Sequence, residues 1–409
     1  MSTIAVLGTF DTKGEEHAYV ADLIRERGHQ ALLIDAGSLD APTIAPDVAR
    51  EELANAADVD LSALFEKRDR GEAVKAMSEG AAVVVAKLAA EKRIQGVISL
   101  GGGGGTAIGT AAMRALPVGF PKLMVSTLAA SENVPAYVGV KDVVMMPSVV
   151  DVAGLNRVSR PLFANAAGAI CGMVESSAPP SDDKPVIAAS MFGNTTDCIN
   201  RAKVILEDAG YEVLVFHATG TGGRAMESLI EAGLISGVLD LTTTEWADEL
   251  VGGILGAGPD RLEAAARNGV PAVIAPGCLD MVNFGPSNTI PEKFSGRLFY
   301  EHNPQVTLMR TTSEECAELG RILADKANLS TGPCSVLIPT EAISVISASG
   351  QLFCDPVADQ ALFTAIKENL REDLELREIP VTINDLKFSR IAAEALLSLI
   401  RLEAPLPDS

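Results

Sequence analysis

Short apolar runs alternate with longer stretches of helical period along most of the chain. Residues 3–7, 31–34, 97–100 and 122–126 are largely apolar at successive positions, too short for helices, and flanked by glycine or polar residues. Such runs predict strands buried on both faces of a parallel sheet. The segments between them carry apolar residues three and four apart, which predicts helices and therefore βαβ units with right-handed crossovers. Residues 38–70 break the pattern. They are acidic, lack a strand signal, and read as an excursion between the second strand and its helix. Residues 154–175 predict one helix. A last helix over about 385–402 sets Phe388, Ile391, Ala392, Ala395, Leu396 and Ile400 on one stripe, and the pattern leaves open which part of the chain it covers.

The plan occurs twice. Residues 3–37 run strand, turn, helix, glycine, strand, and residues 184–223 follow the same order. The third strands match as well: Ile94 to Leu100 aligns by pattern with Ile235 to Leu241. A polar, proline-rich stretch over 176–185 separates the copies and reads as a linker. The expected fold is α/β: two Rossmann-like doubly wound parallel-sheet domains, duplicated, over 1–180 and 181–409, the second carrying the C-terminal helix.

Five consecutive glycines, Gly101, Gly102, Gly103, Gly104 and Gly105, stand between the third strand and the Ala-rich helix that starts near Thr106. At a strand-to-helix turn, bare backbone amides and the positive helix end suit a phosphate. The bland reading is a packed or flexible turn with no ligand. No Gly-Lys-Ser/Thr follows, so this is not a P-loop. The match to a dinucleotide fingerprint is weak because it follows the third strand, and the next strand does not end in an acidic residue. A nicotinamide oxidoreductase is therefore disfavoured.

The first and third strands of a doubly wound sheet meet at the switch point, so the turn after the first strand is expected beside the glycines. Gly8 and Thr9 lead this turn, with Asp11, Thr12 and Lys13 after them. Lys13 would neutralise phosphate, and Asp11 would hold a hydroxyl or a magnesium-bound water. Helix capping by Asp11 or Thr12 accounts for the same residues. Asp35 ends the second strand, where a ribose-binding carboxylate often sits; a turn aspartate before Gly37 is the alternative. Ser126 and Thr127 follow the fourth strand on the same edge.

In the second half, Cys278, Asp280, Asn283 and His302 are candidate residues of an interdomain cleft for a second substrate. Cys278 with His302 as nucleophile and base has no spacing rule behind it, and a buried thiol with a loop histidine explains both. Residues 217–224 form another turn suited to an anion, and residues 252–259 read as opening a helix, serving tight packing or a mobile loop rather than a ligand.

Composition narrows the partners. The net charge of −21 over 409 residues argues against nucleic acid and anionic membrane surfaces. The six cysteines include no Cys-x-x-Cys pair and the four histidines are scattered, so no metal site is expected. No apolar run reaches about 18 residues and no basic leader precedes the first strand, which predicts a cytoplasmic setting.

Residues 8–15, the glycine run with Thr106, residues 276–280 and residues 301–304 together resemble the ATP-binding domain family of the tomato mosaic virus resistance protein and its bacterial homologues. The resemblance spans nearly the whole chain. It implies ATP at the glycine-rich side of the first domain, and a homodimer; magnesium is a further expectation, as the companion of a bound nucleotide. The activity it implies is unassigned. Phosphoryl or nucleotidyl transfer to a small metabolite is the natural class for an enzyme; a non-catalytic nucleotide-dependent switch or protein-interaction module is the alternative.

Overall fold

The computed structural model describes residues 1–179 and 183–403. The chain forms two compact units, Met1–Ser181 and Asp182–Ser409. Of the expected linker, residues 180–182 lie outside the described residues, as does the expected boundary between 180 and 181.

The first unit runs β1 (Thr3–Gly8), α1 (Phe10–Glu26), β2 (Gln30–Asp35), α2 (Arg50–Ala56), α3 (Leu61–Lys67) and α4 (Arg70–Ala90). It continues through β3 (Gly96–Gly101), α5 (Gly103–Arg114), β4 (Lys122–Ser126), α6 (Val134–Val138), β5 (Val144–Pro147) and α7 (Ser159–Glu175). The five strands are parallel in the order β2-β1-β3-β4-β5. Alternate residues supply two cores. Ile4, Val6, Ile98 and Leu100 pack under α1 and α7, whereas Ala5, Leu7, Val97 and Met124 pack under α4 and α5. The order reverses between β1 and β3, and both strand ends carry a helix N-terminus there.

The second unit runs β6 (Val186–Met191), α8 (Thr196–Asp208), β7 (Glu212–His217), α9 (Thr221–Glu231), β8 (Gly237–Thr242), α10 (Glu245–Val251), α11 (Glu263–Arg267) and β9 (Ala272–Gly277). Then come β10 (Met281–Phe284), β11 (Phe299–Asn303), β12 (Val306–Arg310), α12 (Ser313–Asn328), β13 (Cys334–Pro339), α13 (Pro356–Asn369), β14 (Glu375–Ile379) and α14 (Leu386–Glu403). Its six-stranded sheet has the order β14-β13-β9-β8-β6-β7. Read from β7, this is the order of the first unit with one more strand, as the internal echo anticipates.

Several local expectations change. The excursion over 38–70 holds the short helices α2 and α3, and Val48 bridges to Ile34. The helix expected from 154 begins at Ser159, because the Asn156 side chain accepts from the amides of Val158 and Ser159 and turns the chain first. Gly252, expected to open a helix, instead closes α10 in the left-handed conformation at φ 98°. An antiparallel sheet, β10-β12-β11, is inserted after β9 where the sequence showed only polar clusters. Helix α14 covers the second sheet. Its Phe388, Ala392 and Leu396 are fully buried with Leu239 and Leu337. A Cβ on Gly237 would stand 2.7 Å from Ile400 Cδ1, so that glycine is what lets the helix sit down. Among the described residues, no helix is long and apolar enough to cross a membrane.

Candidate functional site

The glycine run divides into positions the fold requires and positions it does not. Gly101 ends β3 and Gly102 is the extended N-cap of α5, so the run forms the helix's first turn. None of the five has a positive φ. A Cβ at Gly101 would lie 2.8 Å from Gly105 Cα, a contact the backbone cannot relieve. At Gly104 it would press Val74 Cγ2 at 3.2 Å. At Gly102 and Gly105 the nearest atoms would be at 3.8 and 3.4 Å, ordinary contacts, and at Gly103 nothing lies within 4 Å. No side chain caps the helix. The first amides of α5 therefore face outward without intrahelical partners.

Beside it, the β1 turn is organised inward. A Cβ on Gly8 would stand 2.0 Å from His17 Nε2, so glycine is required for the buried imidazole to pass. Burial pushes the His17 pKa down to about 4. Asp35 is buried, and its Oδ1 accepts from the amides of Phe10 and Gly37 at 3.0 and 2.8 Å. Asp11 Oδ2 accepts from the amides of Ser38 and Leu39 at 3.1 and 2.9 Å. Both carboxylates thus fasten the loop after β2, and Gly37 is pinched between them, 2.8 Å from Asp11 Cγ to a built Cβ. Holding this loop fits Asp11 and Asp35 better than ribose or magnesium, and the expected capping of α1 by Asp11 or Thr12 does not occur: its N-cap is Thr9, with no side-chain cap bond. Lys13 is diverted as well. The helix departs from helical geometry at this residue (φ −136°, ψ 28°), and Nζ donates to the Val152 carbonyl in the loop after β5. Thr9 and Thr12 remain at the edge, their hydroxyls 3.1 Å apart.

At the β4 end, Thr106 and Ser126 share a buried hydroxyl contact of 2.6 Å, and Ser126 Oγ also accepts from the Leu128 amide at 2.9 Å. These two brace the turn. Thr127 is exposed and its Oγ1 lies 3.8 Å from a Cβ built on Gly102. It also lines a pocket of about 420 Å³ formed with Ala130, Pro147, Val149, Val150 and Asp151. Arg70, which no sequence pattern singles out, begins α4 and brings Nη2 to 3.8 Å from a Cβ built on Gly104. Its side chain has no protein partner among the described residues. Only the pairing of α4 with α5 places it there, far upstream of the glycines in the sequence.

The second unit has closed the corresponding places. Thr242, aligned with Gly101, contacts Thr195 hydroxyl to hydroxyl at 2.8 Å. The expected anion turn over 217–224 already holds an anion: Glu245 Oε1 accepts from the amides of Gly220 and Gly223 at 2.7 and 3.0 Å. Its other oxygen takes Arg261 Nε at 2.6 Å, and Arg261 also grips Asp240 with two nitrogens and Glu227 with one. Every glycine of this turn is demanded by the fold. Gly220 has φ 78°, and Cβ atoms on Gly222 and Gly223 would strike His217 O and Glu245.

The expected cleft residues are separated. Cys278, Asp280 and Asn283 are fully buried, while His302 is exposed on β11. Burial pushes the Cys278 thiol well up, which removes it as a nucleophile. Asp280 accepts from Ser344 Oγ at 2.8 Å, and its pKa is pushed up to about 6, mainly by burial. Asn283 Nδ2 donates to Asp248 Oδ2 at 2.6 Å. Asn283 is buried because β10 pairs with β12 and packs against α10, and Cys278 and Asp280 are buried in the turn between β9 and β10, where Cys278 packs with Met281, Leu308 and Phe353. Among the described residues, no cluster of three or more His, Cys, Asp or Glu side chains suits a metal ion.

Comparison with known proteins places both halves in one family. Residues 2–179 match the N-terminal domain, and residues 184–400 the C-terminal domain, of the uncharacterised protein family UPF0261. A UPF0261 protein of Clostridium tetani is 49% identical over 399 residues, covering 97% of this chain and 98% of its own length. The ToMV susceptible protein tm-1(GCR26) of Solanum lycopersicum is 36% identical over 416 residues, covering 96% of this chain and 55% of the tomato protein. Among solved structures, a UDP-N-acetylglucosamine 2-epimerase from Rickettsia bellii aligns over 98% of this chain and 96% of its own, at 14% identity and a TM-score of 0.23. The chain belongs to the UPF0261 family, which it matches through both domains and shares with bacterial and tomato relatives.

Proposed function

We propose that the first unit binds ATP at the open N-terminus of α5, with the phosphates on the amides of Gly102 to Gly105. The observation that carries this is the set of glycines the fold does not need. Gly102 is the N-cap, a place that suits glycine, but Gly103 and Gly105 lie inside α5 with neither a positive φ nor a steric conflict, and glycine in a helix costs roughly 1 kcal/mol relative to alanine. Close backbone approach by a ligand is the remaining physical reason for them. The guanidinium of Arg70 supplies the cation that Lys13 does not, and a planar fork suits phosphate. Thr127 stands between the amides and the neighbouring pocket. Magnesium would arrive with the nucleotide and be held by phosphate oxygens and water, since Asp11 is engaged with the Ser38 and Leu39 amides.

A non-catalytic role has its own support. Asp11, Asp35 and His17, the titratable groups nearest the β1 end, are turned into the protein, so none is presented as a base to a bound nucleotide. On that reading, ATP orders the loops around α5 and acts as a switch. Phosphoryl or nucleotidyl transfer to a metabolite is the catalytic reading. The family resemblance also suggests a homodimer, and the negative charge fits a cytoplasmic protein that avoids nucleic acid.

Isothermal titration calorimetry with ATP, ADP and NAD, each with and without magnesium, tests the proposal. ATP should bind and NAD should not. Absence of heat and of any thermal shift with every adenine nucleotide would sink it. Tight ATP binding without turnover over a panel of metabolites would select the switch.

A further inference from the structure

We infer that the pocket beside Thr127 is a nucleoside subsite, with Asp151 accepting the ribose hydroxyls and Val149 carrying the base. This rests on the ATP reading above and assigns the other end of the same ligand. The pocket's volume of about 420 Å³ falls within the roughly 300–1,000 Å³ of small-molecule sites. Its walls suit a nucleoside: Ala130, Pro147, Val149 and Val150 are apolar, and Asp151 and Thr127 are polar. Thr127 joins it to the glycine turn, so a single extended ligand reaches both places.

Two residues have no other evident employment. Val149 is 75% exposed and sits at φ 63°, a left-handed conformation that β-branched residues rarely hold. It is fixed at the tip of a tight turn in which the Val150 amide donates to the Ser148 carbonyl at 2.6 Å and Ser148 Oγ donates to the Val150 carbonyl at 2.6 Å. The turn presents an apolar side chain to solvent, which makes sense where a flat ring will lie on it. Asp151 is exposed and its carboxylate has no protein partner among the described residues. Asp35, the carboxylate that the sequence pattern assigned to ribose, is buried and engaged by two amides, which leaves the role to a residue after β5. The loop carrying Val149 and Asp151 is also braced from α1. Lys13 Nζ donates to the Val152 carbonyl, and Glu16 Oε1 accepts from the Gly154 amide. Lys13 thus serves the nucleotide through the loop it holds.

The test uses the full chain with two probes, ATP and inorganic tripolyphosphate, and two variants, Asp151→Asn and Val149→Asp. Both positions are exposed, and unchanged melting temperatures confirm intact folding. Each variant should bind ATP about tenfold or more weakly while its tripolyphosphate affinity stays at the parent value. If the parent binds both probes and neither variant loses ATP affinity, the subsite is refuted and the ATP reading stands. Equal weakening of both probes also refutes it, since the effect would then act on the phosphates. If the parent binds neither probe, the ATP reading falls and takes the subsite with it.

Discussion

At the scale of single residues, the informative contrast is between glycines that the fold requires and glycines that it does not. Gly8, Gly101, Gly222 and Gly223 each stand where a Cβ would strike a neighbour. Gly103 stands in open space. Gly103→Ala should therefore stabilise the protein by about 0.5–1 kcal/mol through helix propensity, and chemical denaturation will read that gain. Gly103→Val should keep the melting temperature yet weaken ATP about tenfold or more, because its branched side chain fills the approach to the amides. Arg70→Ala should cost a similar factor in ATP affinity with no loss of stability. A Gly103→Val protein with parental affinity would move the phosphate site elsewhere.

At the scale of elements, the two units solve the same problem in opposite ways. Both place a strand end and a helix N-terminus at the reversal of strand order. In the first unit the helix end of α5 is left open. In the second, the turn that is closed follows the edge strand β7: Glu245, the first residue of α10, sets its carboxylate on the end of α9, and Arg261 neutralises it together with Asp240 and Glu227. An internal anion occupies the place a ligand would take. Glu245→Ala leaves Arg261 Nε and two buried amides without a partner at once, so it should destabilise the second unit by about 3–5 kcal/mol. The chain's single tryptophan, Trp246, lies in α10 and makes its fluorescence a local reporter of that loss. Denaturation of the variant with no shift in the tryptophan transition would count against a structural role for the cluster.

At the scale of the molecule, the buried titratable groups give the two units different pH responses. Burial raises Asp248 to about 7 and Asp280 to about 6, so the folded second unit holds protons that the unfolded chain releases near pH 4. Its stability should fall as pH rises from about 4 through 7, by on the order of 4 kcal/mol for Asp248. His17 in the first unit has the opposite sign. Its folded pKa of about 4 lies below the usual 6.5, so stability is lost as pH falls from 6.5 to 4, by on the order of 3 kcal/mol. Asp35, pushed up by burial, partly offsets this. Urea unfolding followed by Trp246 fluorescence should therefore shift to higher midpoint between pH 8 and pH 5. Asp248→Asn should flatten the shift. The substitution is accommodated because Asn283 Oδ1 has no partner, and turning that amide over lets it accept from Asn at 248. An unchanged pH profile in Asp248→Asn would show that this carboxyl is ionised in the folded state.

The sequence by itself determined what depends on local pattern. Apolar runs of four or five residues spaced by helical segments can be buried only as parallel strands covered on both faces, and their repetition announced two units with one strand order. The glycine run was visible for the same reason, since five glycines conflict with helix propensity whatever surrounds them. Tertiary structure decided which polar side chains stay available. Asp11, Lys13 and Asp35 were chosen from their places at strand ends, but each found a backbone partner distant in sequence: Ser38 and Leu39 for Asp11, Val152 for Lys13 and Phe10 for Asp35. Arg70 and Asp151 reach the site only because α4 packs on α5 and β5 lies next to β4. A side chain's freedom is settled by contacts that chain order does not encode, and burial then sets its charge.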